Sequence, residues 1–545
     1  MKAYETAPSA DLADTSKRAD QEPSRRTVTG LFGTAQMLRP SYWAWVGPIL
    51  IMLFGGFIRF YRLSQPNAVV FDETYYVPDA NSILRHGVEL NHVKNVNTLL
   101  LQGNPNFLLK SGEIVAHPPL GKIMMAMGQW TFGLTPFGWR FSVAVIGTVS
   151  ILMTARIARR MTGSTLLGCI AGLLLALDGL ELVLSRTSIL DIFLMFWVLA
   201  AFGLLVIDRD QTRARLEAAA AESGPYPASG PHLGIRWMRV CAGLCLGAAC
   251  ATKWNGLWYL IAFAGMAILW DLGSRRAAGY ERWLPGGLRS DARWLPVWFG
   301  LAPFVVYFAS WSGWFFNTSG YDRDWAPLHG NHTPIWSTLD SWYQYNHWML
   351  QFGLGLSSYQ SYKSSPVGWL VLARPISFYW CAYGTQGCSM PKGTASEVLA
   401  IGTPLIWWGG TLALIFCLNW WLIGLIGDLV FKRTPKRDWR AGAVLLGVSA
   451  GWLPWIWYAW HDNRTEFYYY AVVFDPFLVI AITLCLGLII GPARAGPGRR
   501  AIGAVGAGGY LLAVLVNLAY IYPILTAEVI PYTDWLSRMW FRRWI

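Results

Sequence analysis

The chain is built from repeated apolar runs of about 18 to 25 residues, and a helix of that length crosses the roughly 30 Å of a bilayer's hydrocarbon. Of 545 residues, 54% are hydrophobic and 15% aromatic. That is too apolar for a soluble globular protein of this length. The 32 Trp and 24 Tyr gather near run ends, as interfacial belts do. The expected class is an all-α polytopic membrane protein.

Spans are expected near 43–63, 139–158, 164–182, 188–207, 236–252, 256–272, 293–314, 403–430, 441–460, 468–490 and 502–522, about eleven in all. Basic clusters fix their direction. Arg25, Arg26 and Arg39 precede the first span, and Arg156, Arg159 and Arg160 follow the second. Arg275 and Arg276 follow the sixth, and Lys432, Arg433, Lys436, Arg437 and Arg440 separate the eighth and ninth. All fall on one side, so the N-terminus is expected in the cytoplasm and the C-terminus outside. The net charge of +13 follows from these loops and does not call for nucleic acid.

Three regions follow. Residues 1–38 are polar and unpatterned and read as a disordered cytoplasmic tail. Residues 39–525 form the multi-span domain, whose first span serves as an uncleaved anchor. Residues 526–545 interleave Trp, Arg and Phe and read as an interfacial segment. Asp208 to Leu233 reads as a cytoplasmic linker. Of the eight Cys, six lie in apolar runs as packing thiols. Cys381 and Cys388 share a polar loop and can pair if it faces an oxidising compartment.

The side opposite the basic clusters receives a first loop at about 64–138 and a large loop at about 315–402. The first holds Phe71-Asp72-Glu73-Thr74-Tyr75-Tyr76 and His117-Pro118-Pro119-Leu120-Gly121-Lys122. Only 14% of the chain is charged, so adjacent carboxylates beside a membrane are notable. Asp72 and Glu73 suit a base, a cation ligand or a salt bridge equally well on residue type. The stretch from Val77 to His86 reads as an amphipathic helix on the membrane, with Val77, Ala80, Ile83 and Leu84 on one face. Arg140, Arg186, Asp191, Lys253, Arg464 and Glu466 lie at span ends on the same side. Charges there suit a phosphate-bearing ligand or plain interfacial anchoring. A single acidic pair makes a poor cation cage, so no metal is expected.

The two first-loop motifs resemble those of the protein O-mannosyltransferases. Arg186-Thr187-Ser188-Ile189-Leu190-Asp191, Thr252-Lys253-Trp254-Asn255-Gly256, Ser364-Ser365-Pro366 with Arg374-Pro375-Ile376, and Gly402-Thr403-Pro404 are similar in the same order. The resemblance covers about residues 43 to 525. It implies a C-type glycosyltransferase fold of about eleven helices that moves mannose from polyprenyl-phosphate-mannose to Ser or Thr of secreted proteins. It implies Asp72 as general base, Glu73 in support, and inversion at the sugar. Arg140, Lys253 and Arg464, with His117 and Lys122, are the expected donor-phosphate ligands, and Arg186 and Asp191 the supporting residues. No cofactor is implied beyond the lipid-linked donor, and the secretion translocon is an implied partner. The large loop is too short for the β-trefoil MIR domain of eukaryotic members, which points to an actinobacterial-type form. Transfer to a glycolipid or wall polymer is the alternative, and a transporter is a more distant one.

Overall fold

The computed structural model describes residues 28–30, 33–35, 42–222, 228–357, 360–431, 438–461, 464–492 and 494–545. Most of the expected N-terminal tail lies outside these. Within it, Val28–Gly30 and Gly33–Ala35 pair as a short antiparallel hairpin.

Helices dominate. Among the described residues, eight are long and apolar enough to cross a membrane: Pro136–Thr162, Leu190–Glu222, Gly256–Ala277, Trp283–Ser310, Pro404–Ile426, Trp439–His461, Tyr468–Ile490 and Pro497–Leu525. Three shorter apolar helices, Ala44–Phe60, Thr165–Ala176 and Trp237–Thr252, accompany them. Every stretch read as a span contains one of these helices. Leu190–Glu222 and Tyr468–Ile490 form the centre, with 67% and 78% of their apolar windows buried inside the protein. Trp283–Ser310 buries only 11% and turns its apolar side outward, which a bilayer would cover.

One expectation changes. Leu190–Glu222 runs well past Asp208, because the Ala-rich stretch read as linker favours helix; residues 223–227 of that linker lie outside the described ones. Charges at the expected span ends are buried and paired with one another. Arg59 pairs with Glu181, both fully buried. Arg236 and Arg239 form ion pairs with Asp208 and Asp271 at 2.6–3.0 Å. Lone charges at such depth are costly, so each is met by its opposite.

The short helix Thr165–Ala176 stops at Asp178, whose Oδ1 accepts from the backbone N–H of Leu180 at 2.9 Å and Glu181 at 3.1 Å. This carboxylate caps a new helix, Gly179–Leu184. The chain thus bends before the turn that carries Arg186 and Asp191.

The first loop is ordered by its own elements: helix Glu73–His86, strands Leu90–His92 and Leu108–Gly112, and helix Leu120–Phe132. Helix Glu73–His86 buries Val77 and Ala80 as expected, but Leu84 is 40% exposed. Its buried face also takes in Asp79, Asn81 and Ser82. The reason is a polar seam against Leu120–Phe132: Gln129 Nε2 donates to Val77 O at 3.0 Å, and Asn81 Nδ2 donates to Gln129 Oε1 at 3.1 Å. The helix is therefore packed on protein rather than laid freely on a bilayer. Gly87, at φ +79°, closes it in the left-handed region that glycine tolerates. Gly313 sits so close that a β-carbon there would lie 1.9 Å from Gly87 O. The far end of this helix is thereby fixed to the large loop.

The large loop contains helix Pro334–Leu354 and an antiparallel hairpin, Ile376–Ala382 with Thr394–Ala400. Cys381 and Cys388 are joined by a disulfide. The C-terminal stretch read as an interfacial segment docks here. Ile530–Pro531 adds a third strand to the hairpin. Trp535 Nε1 donates to the buried Glu397 at 2.6 Å, and Trp544 Nε1 to Leu372 O at 2.8 Å.

Candidate active site

Asp72 and Glu73 part company at the start of their helix. Glu73 is its first residue and is fully buried. Its Oε1 accepts from Arg140 Nε at 2.8 Å and Ser188 N at 3.1 Å. Its Oε2 accepts from Arg140 Nη2 and Val70 N, both at 2.9 Å. Four hydrogen bonds saturate the carboxylate. Arg140 spends its remaining donors on Pro66 O at 2.9 Å and Ala68 O at 2.8 Å, with a longer one to Leu63 O. Glu73 and Arg140 thus join the first loop, the Pro136–Thr162 helix and the 187–188 turn. Arg140 was expected at the donor phosphate; the structure gives it a different partner set and 1% exposure.

Asp72 stays partly open. It precedes the helix and follows Phe71, a non-glycine residue held at φ +49°. Such a backbone persists only where packing fixes it. Phe71 stacks on Phe378 of the large-loop hairpin at 4.5 Å and 10° between planes. The acid is therefore aimed by the strained residue before it. Burial pushes the Asp72 carboxyl up to about 6, opposed by Lys253 and by a hydrogen bond from Tyr469, and reinforced by Asp191. Tyr469 Oη donates to Asp72 Oδ2 at 3.4 Å.

Lys253 reaches the same place from the turn after helix Trp237–Thr252. Its ammonium lies 2.9 and 3.0 Å from the two oxygens of Asp191, and 4.4 Å from the Tyr470 ring centre. His117 completes the group. Burial and the surrounding cations Lys253, Lys122 and Arg464 hold its imidazole well below the usual range. It is neutral at pH 7 and offers a hydrogen bond.

Lys122 is turned elsewhere. It is 1% exposed and pairs with Glu89 at 2.6 Å and Asp79 at 3.5 Å. This ties helix Leu120–Phe132 to helix Glu73–His86 and gives Lys122 internal partners in place of the phosphate expected for it. Arg186 donates to Arg59 O and Tyr61 O at 2.7 Å each and to Arg62 O at 3.1 Å. It caps the end of helix Trp43–Phe60, a supporting position. Arg464 donates through Nε to Gly353 O at 2.8 Å, and its Nη1 is buried with no partner. Asp72, Asp191, Lys253, His117 and Tyr469 thus come together, Arg464 acts on His117 from nearby, and Arg140 and Lys122 brace the walls.

Residues 49–299 match the family described as dolichyl-phosphate-mannose-protein mannosyltransferase, and residues 338–544 match the C-terminal four-span region of protein O-mannosyltransferase. A polyprenol-phosphate-mannose–protein mannosyltransferase of Mycolicibacterium smegmatis is 36% identical over 512 residues, covering 92% of this chain and 93% of the relative. Its counterpart in Mycobacterium tuberculosis is 36% identical over 526 residues, covering 94% and 93%. The chain belongs to the protein O-mannosyltransferase family. A solved structure of the Saccharomyces cerevisiae protein O-mannosyltransferase Pmt1–Pmt2 complex bound to the sugar donor superimposes with a TM-score of 0.69 at 13% identity, over 93% of each chain. This likeness speaks for a shared fold.

In this O-mannosyltransferase family member, the site also uses residues that the sequence pattern did not single out. Tyr469 and Tyr470 follow Arg464 and Glu466 closely, and three consecutive tyrosines at the mouth of a span were the available signal. Phe378 had none, because its stacking on Phe71 depends on a hairpin register that only the fold supplies. Chemically, the site sets a carboxyl with a pKa of about 6 near the Lys253 cation, an uncharged imidazole and the Tyr469 and Tyr470 rings.

Proposed function

We propose that this protein transfers mannose from polyprenyl-phosphate-mannose to Ser or Thr hydroxyls of polypeptides, with Asp72 as the general base. The observation that carries this reading is the isolation of Asp72. Its neighbour Glu73 is saturated by Arg140, while Asp72 keeps free lone pairs and a pKa of about 6. A base works best near the operating pH. The acceptor oxygen attacks the anomeric carbon as its proton passes to Asp72, the bond from that carbon to the phosphate oxygen breaks, and the lipid phosphate departs. One base and direct displacement give inversion. A second carboxylic acid is not needed, because the phosphate leaves without a proton. Lys253 and Arg464 hold the charge on the departing phosphate; His117 adds a hydrogen bond. Asp191 orients Lys253.

The reading places this chemistry on the outer face of the cell membrane, with eleven spans, a cytoplasmic N-terminus and an outer C-terminus. The basic clusters on the opposite side support it, as does the Cys381–Cys388 disulfide, which favours an oxidising compartment. No nucleotide sugar is available there, which suits a lipid-borne donor.

The test is Asp72→Asn assayed in membranes with polyprenyl-phosphate-mannose and a Ser/Thr-rich peptide. Transfer is expected to fall by about a hundredfold or more. Near-normal transfer would refute the assignment.

A further inference from the structure

Glu466 has no role in the chemistry above, yet it is buried. It is 1% exposed, and neither carboxylate oxygen has a hydrogen-bond partner. Two residues earlier, Arg464 Nη1 is also buried and unpartnered. Native structures seldom leave such groups empty, since each forfeits the hydrogen bonds it had in water. The two residues are held firmly. Thr465 N donates to Leu356 O, and Ser364 N to Glu466 O, both at 2.9 Å. The Arg464 guanidinium lies 5.0 Å from the Trp455 ring centre, and Trp455 stacks on Tyr470 at 4.7 Å. Tyr470 in turn carries Lys253 on its face. Arg464 and Glu466 are thus attached by stacked rings to the cation beside Asp72.

We propose that Glu466 binds hydroxyls of the mannosyl ring, next to the phosphate contact of Arg464. The idea rests on the mannosyl-transfer reading above. The segment 464–467 lies outside any helix, and Phe467 is extended at φ −130°, ψ 145°. In chain without helix, residues two apart are separated by up to about 6.5 Å. That matches the separation between a glycosyl phosphate's phosphorus and the outer hydroxyls of its ring. An arginine at one position and a carboxyl at the next but one therefore fit the two ends of one donor head. Burial also raises the Glu466 carboxyl to about 8, against the pull of Arg464 and Lys363. At neutral pH it is an acid that both donates and accepts, which is what a sugar hydroxyl requires.

The experiment uses the full chain in detergent with a Ser-containing peptide. The donors are polyprenyl-phosphate-mannose and its analogues lacking the hydroxyl at C2, C3 or C4 in turn. A site built to bond a hydroxyl rejects the analogue without it, so one deoxy donor should cost the wild type about tenfold or more in kcat/KM. Glu466→Gln should shrink that penalty and Glu466→Leu should nearly abolish it, with the KM for peptide unchanged. The penalty is a ratio within one preparation, so a variant that folds poorly still reports it. Equal penalties in wild type and both variants, or none in wild type, overturn the proposal. A wild type that moves no mannose from the parent donor overturns the reading beneath it, and the parallel parent-donor assay tells the two failures apart.

Discussion

Tyr469 donates a hydrogen bond to Asp72 from 397 positions along the chain. That bond stabilises the ionised carboxylate, against the burial that raises it to about 6. The base must be ionised to act, so transfer is expected to decline as pH falls through about 6. Tyr469→Phe removes a contact that favours the charged form. Its acid limb should move to higher pH, while the plateau at alkaline pH stays near wild type. A pH–rate profile at saturating donor measures this; an unmoved limb would count against the contact.

Two neighbours of Asp72 should shift the same limb in opposite directions. Lys253 lowers the Asp72 pKa and Asp191 raises it. Lys253→Met should push the acid limb upward and also weaken donor use, because a phosphate contact goes with it. Asp191→Asn should pull the limb downward. Profiles of both variants moving the same way would refute the electrostatic assignment.

Glu73 and Arg140 make a different prediction. Both are buried and mutually saturated. Removing one partner strands the other's charge, and Arg140→Met should cost about 3–5 kcal/mol of stability. Arg140→Lys should fail to restore it, since an ammonium cannot reproduce the forked contact. Thermal unfolding in detergent reads both. A stable Arg140→Met protein with weakened donor affinity would return Arg140 to the phosphate.

The disulfide offers a test of sidedness. Cys381 and Cys388 close a short loop with a sequence separation of 7. Losing the bond in Cys381→Ser should lower stability by about 2 kcal/mol. In intact cells, an impermeant maleimide should label the pair only after mild reduction. Labelling that requires permeabilised cells would reverse the proposed orientation.

The apolar helices were legible because their cause is local, and each expected run holds one. The family was legible because its motifs are short and lie in order along the chain. The partners of single charges were not. Glu73 and Arg140 lie 67 residues apart, and nothing local marks Arg140 as saturated rather than free. Lys122 looked available because Glu89 and Asp79 are brought to it by a helix and a hairpin. Composition also hid Arg59 and Glu181, each set in an apolar context whose partner is distant in sequence.

The strand Ile530–Pro531 has a consequence for how the protein is made. The ribosome delivers it after the last long helix, Pro497–Leu525, has emerged. Until then, strand Thr394–Ala400 has an unpaired edge and Glu397 lacks Trp535. The sheet whose first strand carries Phe378 is therefore completed only by this late segment. A chain caught midway thus carries Phe378 on a two-stranded hairpin, without the third strand and the Trp535 contact that complete the sheet.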